Sequence, residues 1–550
     1  MTAELLTPRE TGGALAQRVV AVPRRPSRQR VWFMVCVLAL GFGVHAHGIF
    51  QQAFMTWDDS NYASWGLLQP AFPYLTISFM SAKPASSVTT AAAYLLLGTH
   101  PWAPLIVALW MGAVLVAVVF RWTRAAGGDL YAAWLASALL AGSFSLHFYT
   151  LSHGPQVAQM LSLAGASLCL LLWQRSAWPG WLPACAVAAA AAVLYHYLSL
   201  YVVAGICGLV LFSPAKSGGV TNLQGSDPAS RLRGTLMFFV WLLVPLGLAM
   251  LLSMYRVSDS SAIHFYYWET LWWQVSELSQ STAPDALYYP RVLLFYEGVA
   301  FAAGLAIAAV HFIATRQRYA FVSSAQWVAF LGLPALLVFA SSLSGADVRP
   351  RALAMLLPGA VVWSALGLRG AWNSAWGGTV RPFRVGLALL ALAGVGGCIR
   401  GLPLYYNSQP YNAVREFIRE HQTRVLIGWS ASARPHELQF MQAEVPTLER
   451  FVWVDTLPQL VEQCNAFPGA VFMVSAPALP PQGVALQLAA HFENPAEKFV
   501  PALLEEGVDR LELLRAGYDL PVTVFGSRLQ VAATAPSLGI QFYDFIRCGE

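Results

Sequence analysis

Charge is what this chain lacks. Only 11% of its 550 residues are Asp, Glu, Lys or Arg, against 57% hydrophobic. A soluble protein of this size carries about a quarter charged residues, so the deficit points to lipid as the surrounding medium rather than to a large dry core. Cysteine is sparse as well. None of the seven falls in a C-x-x-C or Cys/His ligand spacing, which argues against a structural zinc site. Cys36, Cys169, Cys185, Cys207 and Cys398 lie in apolar segments and read as packing, whereas Cys464 and Cys548 lie in a polar tail and could pair if that tail meets an oxidising compartment. The net charge of +5 is scattered, with no basic stripe for nucleic acid. There is no G-x-G-x-x-G and no phosphate loop, so no nucleotide role is assigned. The lack of an internal repeat argues against an inverted-repeat transporter. No small-residue cleavage site follows the first apolar run, which therefore reads as a retained first helix behind a cytoplasmic tail, residues 1–30.

What is present is a series of long apolar stretches: 31–50, 105–120, 131–148, 157–173, 182–194, 197–212, 236–255, 292–313, 322–341, 352–366 and 385–398. They predict about eleven membrane-spanning helices. The intervening cations fix the orientation. Arg121 and Arg124, Arg175, Lys216, Arg231, Arg233, Arg316, Arg318, Arg369, Arg381 and Arg384 fall on one side, which the positive-inside rule makes cytoplasmic. The odd number of crossings then puts the C-terminal tail outside. Residues 31–403 form the membrane domain, with long outer loops at 51–103 and 256–291. Within the first loop, 88–97 is too short to span and reads as an amphipathic helix at the interface. From 404 to 550 the pattern changes. Helical 411–421 and 457–464 alternate with strand-like 424–429, 451–454 and 470–474, which predicts an α/β domain on the outer face.

The candidate chemistry lies on that outer side. Asp58 and Asp59 are adjacent carboxylates just past the first apolar stretch, where acids near a bilayer are costly and add nothing to helix packing. They could merely cap the following helix. The outer side, however, also holds Lys83, Arg256, Arg291, Arg349 and Arg351, cations that break the topological rule and call for anionic partners. Aromatic and polar residues of the second loop, His264, Tyr267 and Glu269, suit contact with a sugar, as does Tyr62. A second outer turn carries His147, Tyr149 and His153. Between the stretches ending at 194 and beginning at 197, Tyr195-His196-Tyr197 must form a tight turn.

Asp58-Asp59-Ser60-Asn61-Tyr62-Ala63, then Ala82-Lys83-Pro84, then Tyr94 to Gly98, resemble the first-loop signature of the GT-C glycosyltransferases, in particular the lipid A aminoarabinose transferases and the protein O-mannosyltransferases. Arg349-Pro350-Arg351-Ala352 through Leu357-Pro358-Gly359 is similar to a late element of the same families at a helix start, and Tyr195-His196-Tyr197 resembles their mid-bundle His-aromatic turn. The chain departs from the pattern at Asp59, where the families have Glu, and at Ala85, where they have a second proline. Ser81 replaces an acid that helps hold a metal in the aminoarabinose enzymes, which leaves a divalent metal an open cofactor.

The resemblance implies a multi-pass protein of the bacterial inner membrane, a GT-C-like bundle with an extracytoplasmic α/β domain. It implies an inverting transfer of sugar from a polyprenyl-phosphate donor to a glycan, lipid or protein acceptor at the periplasmic face. Asp58 would be the base and Asp59 its partner, and Lys83, Arg349 and Arg351 would meet the donor phosphate. The alternatives are a ligase or polymerase that uses a diphosphate-linked donor, and a transporter of lipid-linked anions.

Overall fold

The computed structural model describes residues 33, 49, 83–176, 178, 180–212, 228–256, 263–265, 268–269, 272, 288–315, 332–343, 350–373, 384–390, 392, 411–429, 445–475, 480–493 and 539–547. All but residues 33 and 49 of the expected first helix at 31–50, and half of those at 322–341 and 385–398, lie outside these residues. The described part of 1–403 is a helix bundle. Three of its helices are long and apolar enough to cross a membrane by themselves, and a bent pair would make a fourth.

Helix α1, Pro84–Leu97, starts where proline fits a first turn without losing a bonded N–H, directly after Lys83. It ends at Gly98, whose φ of +86° favours a residue without Cβ. Its inward face is small and polar, Ser86, Ser87, Thr90, Ala91 and Tyr94, at helical spacing. Leu95 and Leu96 point outward, 73% and 81% exposed. The sequence expectation of a helix at 88–97 is therefore met, with a start four residues earlier.

Helix α2, Ala103–Ala125, has 23 residues and a length of about 34 Å, enough for a hydrocarbon core of about 30 Å. The expected single helix at 131–148 is instead two: α3, Leu130–Ala141, and α4, Phe144–Thr150, meet at an angle of 53°. The cause is local. Gly142 closes α3, and the Ser143 side chain caps α4 by accepting from the Leu146 N–H at 3.3 Å.

Then come α5, Gln156–Ser176, α6, Trp181–Tyr195, a 3₁₀ turn at Tyr197–Ser199, α7, Leu200–Phe212, and α8, Pro228–Leu252. Helix α6 lies between α5 and α8 and presents Cys185, Ala186, Ala189, Ala190 and Ala192 to them, all fully buried. Small residues let backbones approach where lipid gives no hydrophobic drive for helix association. A short hairpin pairs β1, Met254–Arg256, with β2, Ile263–Phe265.

Helices α9, Tyr288–Thr315, α10, Leu333–Leu343, and α11, Leu357–Asn373, complete the described bundle. Helix α11 begins later than the expected 352, because Pro350–Leu353 is a separate 3₁₀ turn. Helices α9 and α11 touch at Gly367, where an added Cβ would lie 2.3 Å from the Ala308 Cβ.

The two ends of the bundle differ in charge. At one end Asp129 caps α3 through the Ala132 N–H at 2.8 Å and pairs with Arg369 at 2.7 Å, and Arg124 lies within charge range of Arg175. The opposite end of α11 follows the turn that carries Arg351, and α6, which runs back along α5, ends at His196.

The tail forms an α/β unit. Helix α12, Tyr411–Glu420, precedes β3, Val425–Trp429, and β4, Arg450–Val454. Helix α13, Leu457–Ala466, precedes β5, Val471–Ser475, β6, Ala485–Glu493, and β7, Gly539–Arg547. The sheet order is β4-β3-β5-β7-β6. Strand β3 is parallel to β4 and β5, and β7 is antiparallel to β5 and β6. Alternate residues serve its two faces. Ile427, Phe472 and Val474 pack with Leu460 of α13. Leu426, Val471, Met473 and Phe542 pack with Val414 and Ile418 of α12, and that same core includes Tyr94, Trp102 and Ala103 from the corner between α1 and α2. The α/β unit thus sits on the far end of the helix that starts after Lys83.

Candidate functional site

The site is built around the start of α1. Lys83 is 6% exposed although it carries a charge. Its carbonyl accepts from the Ser86 N–H at 3.0 Å, which fixes the entry into the helix. Thr89, one and a half turns on, shares a hydrogen bond of 2.8 Å with the Tyr195 hydroxyl at the end of α6. That tether sets the start of α1 beside His196.

His196 is 2% exposed and ends α6. Its Nδ1 accepts from the Leu198 N–H at 3.3 Å, and its ring stacks on Tyr197. Burial pushes its pKa well below the usual histidine range, and the positive charges of Lys83 and Arg351 push the same way. His196 fixes its own turn, in keeping with the tight turn expected at Tyr195-His196-Tyr197. Lys83 and Arg351, remote in sequence, both lie within charge range of His196. Arg351 is half-buried in the 3₁₀ turn at Pro350–Leu353.

A small cleft, with room for about 30 Å³, adjoins this group. One wall is hydroxyl-rich, with Ser86, Thr89, Thr90, Ser152 and Tyr195, and the other is apolar, with residues such as Val107, Met111 and Val157. The turn at 151–155 forms its rim. His153 holds that turn to the bundle through Nε2 and the Pro101 carbonyl at 2.7 Å, and burial lowers its pKa from 6.5 to about 4. Of the outer-turn candidates, His153 lines the cleft, whereas His147 and Tyr149 are core residues of α4.

Asp58, Asp59, Tyr62, Tyr267 and Arg349 lie outside the described residues. His264 lies on β2 opposite Tyr255, and Glu269 is exposed, as is Trp268 beside it. Among the described residues no three His, Cys, Asp or Glu side chains gather as metal ligands. The part of the site they supply is cationic and hydroxylic, suited to an anion rather than a cation.

One buried acid went unread in the sequence. Glu297 of α9 is 4% exposed, and one carboxylate oxygen accepts from the Ser143 hydroxyl at 3.0 Å, the Ser145 hydroxyl at 2.5 Å and the Ser145 N–H at 3.2 Å. The signal was available: it is the sole acid of the apolar stretch 292–313, and ionisable groups inside such stretches are costly to keep.

No protein-family model and no curated protein matches the chain. Solved structures do. The crystal structure of ArnT from Cupriavidus metallidurans in the apo state matches with a TM-score of 0.56 at 16% identity, covering 84% of this chain and 96% of that one. The same protein bound to undecaprenyl phosphate matches with a TM-score of 0.54 at 15% identity, with the same coverage. At such identities the likeness establishes a shared fold, and it extends over nearly the whole of the ArnT chain. This is the GT-C fold that the sequence motifs resemble.

Proposed function

We propose that this protein is an inverting glycosyltransferase that moves a sugar from a polyprenyl-phosphate donor to an acceptor at the periplasmic face of a bacterial inner membrane. The reading rests on Lys83 and Arg351 both lying within charge range of His196, with α1 tied to the end of α6 by the Thr89–Tyr195 hydrogen bond, on a fold shared with a protein crystallised with undecaprenyl phosphate. Cations brought together at the low-dielectric end of a bundle favour a phosphate between them, and Arg adds a two-pronged donor fork matched to phosphate oxygens.

The chemistry is a single displacement. The acceptor nucleophile gives its proton to Asp58 as it attacks the anomeric carbon, and Asp59 orients it. The bond from that carbon to the phosphate oxygen breaks, and the electron pair leaves with the polyprenyl phosphate. Lys83, Arg349 and Arg351 balance the charge that grows on the departing phosphate. Attack opposite the leaving group inverts the anomeric centre. Tyr62, His264, Tyr267 and Glu269 would contact sugar or acceptor.

The orientation rests on two supports. Arg124, Arg175 and Arg369 lie at the end remote from Lys83, as expected for a cytoplasmic face. Cys464 of the α/β unit is disulfide-bonded, which suits an oxidising compartment. Denatured, non-reduced protein should therefore take up a bulky maleimide at residue 464 only after dithiothreitol. Full labelling without reductant would place the unit on the reducing side.

The function itself is tested by mass spectrometry of envelope glycans, lipids and proteins from cells with and without the active chain. A single acceptor class that loses one saccharide mass supports the reading. An unchanged glycan profile together with altered flux of a lipid-linked anion would favour a transporter.

A further inference from the structure

We propose that Glu297 is a positioning residue that pins the break between α3 and α4 and thereby holds the 151–155 turn as one wall of the cleft. The observations are geometric. The carboxylate comes from α9 and collects three hydrogen bonds from Ser143 and Ser145, at the point where the chain bends by 53°. Helix capping alone does not require it, since the Ser143 hydroxyl already accepts from the Leu146 N–H. What the acid adds is a tie from a different helix. Only the remaining five residues of α4, 146–150, separate this tie from the turn that supplies Ser152, His153, Gly154 and Pro155 to the cleft.

The turn has a second anchor at its middle, the bond between His153 and the Pro101 carbonyl. Short, rigid α4 thus transmits any slack at the break straight to the cleft wall. Helix α9 also touches the 3₁₀ turn that carries Arg351. Helix α9 therefore touches both the break that leads to the 151–155 side of the cleft and the turn that carries Arg351. A buried carboxylate in a bundle is expensive, and a tie that shapes the site accounts for retaining it where an apolar residue would pack at lower cost.

The inference rests on the proposed transfer only in treating the cleft as part of that site, so its test needs no substrate. Ser152→Cys, at a position only 5% exposed, serves as a reporter in the full-length protein in nanodiscs. Maleimide labelling is followed by mass spectrometry of the peptide containing residue 152, with native Cys169, half-buried in α5, as an internal control. Glu297→Leu removes hydrogen bonds to a charged group and should speed labelling at 152 by about tenfold or more. Glu297→Gln keeps a carbonyl acceptor and should change it less than about fivefold. Ser145→Ala, which keeps the Ser143 cap, should fall between them and carries the test if Glu297→Leu fails to assemble.

Equal labelling of parent, Glu297→Leu and Ser145→Ala would overturn the proposal. So would parallel acceleration at Cys169, which signals general loosening. A protein that labels as expected but transfers no sugar would sink the transferase reading and leave the tie standing.

Discussion

Asp58→Asn should abolish transfer in membranes that hold normal amounts of protein, with a rate loss of roughly 10²- to 10⁴-fold, the span expected for removal of a general base. Asn is nearly the same shape and can still accept a hydrogen bond through its carbonyl, so acceptor binding should change little. What it cannot do is take the acceptor proton as the new glycosidic bond forms. The loss should therefore appear in kcat, with KM for donor and acceptor close to the parent values. Asp59→Asn should cost less, since a partner that orients the acceptor can act without accepting a proton. The measurement is release of undecaprenyl phosphate from a sugar-loaded donor in nanodiscs. Unchanged turnover in Asp58→Asn would remove the base assignment and leave the adjacent acids as a helix cap.

The second large effect concerns the cations. Lys83→Ala and Arg351→Ala should each weaken binding of undecaprenyl phosphate by about tenfold to a hundredfold, the worth of a hydrogen bond to a charged group. Undecaprenol, which lacks the phosphate, should bind parent and variants alike. Lys83→Arg should retain most of the affinity, because charge rather than shape is the requirement at the start of α1. The buried placement of Lys83 makes added salt a weak competitor. Equal losses for the phosphate and the alcohol would mean that the variants disturb packing, for instance through the Thr89–Tyr195 tether. That outcome would sink the phosphate assignment.

Both predictions rest on residues that were legible in the sequence for different reasons. Lys83 stood out because it broke the charge rule for its side of the membrane, and Arg351 for the same reason. Glu297 was just as anomalous in composition but was passed over, because its meaning depends on Ser143 and Ser145, about 150 positions earlier. The break at 142–143 was hidden for a related reason. Gly142-Ser143 is a weak stop signal inside a continuous apolar run, and hydropathy does not register a bend. In the tail, β3, β4 and β5 announced themselves as short β-branched and aromatic runs. Strand β6, Ala-Leu-Gln-Leu-Ala-Ala, is rich in good helix formers. It is extended because β7 pairs along its length, a tertiary override of local preference.

By itself the sequence determined the medium and the local elements of this protein. Scarce charge points to lipid, and Pro84 and Gly98 bracket a helix, because each of these is a sum over neighbouring residues. Only the tertiary structure decided that Lys83 and Arg351 lie within charge range of His196, that an acid from α9 accepts hydrogen bonds at a bend in another helix, and that the sheet rests on the corner at Tyr94 and Trp102. Those facts depend on which helix packs on which, and packing is settled by shape and small-residue contacts between segments far apart in the chain.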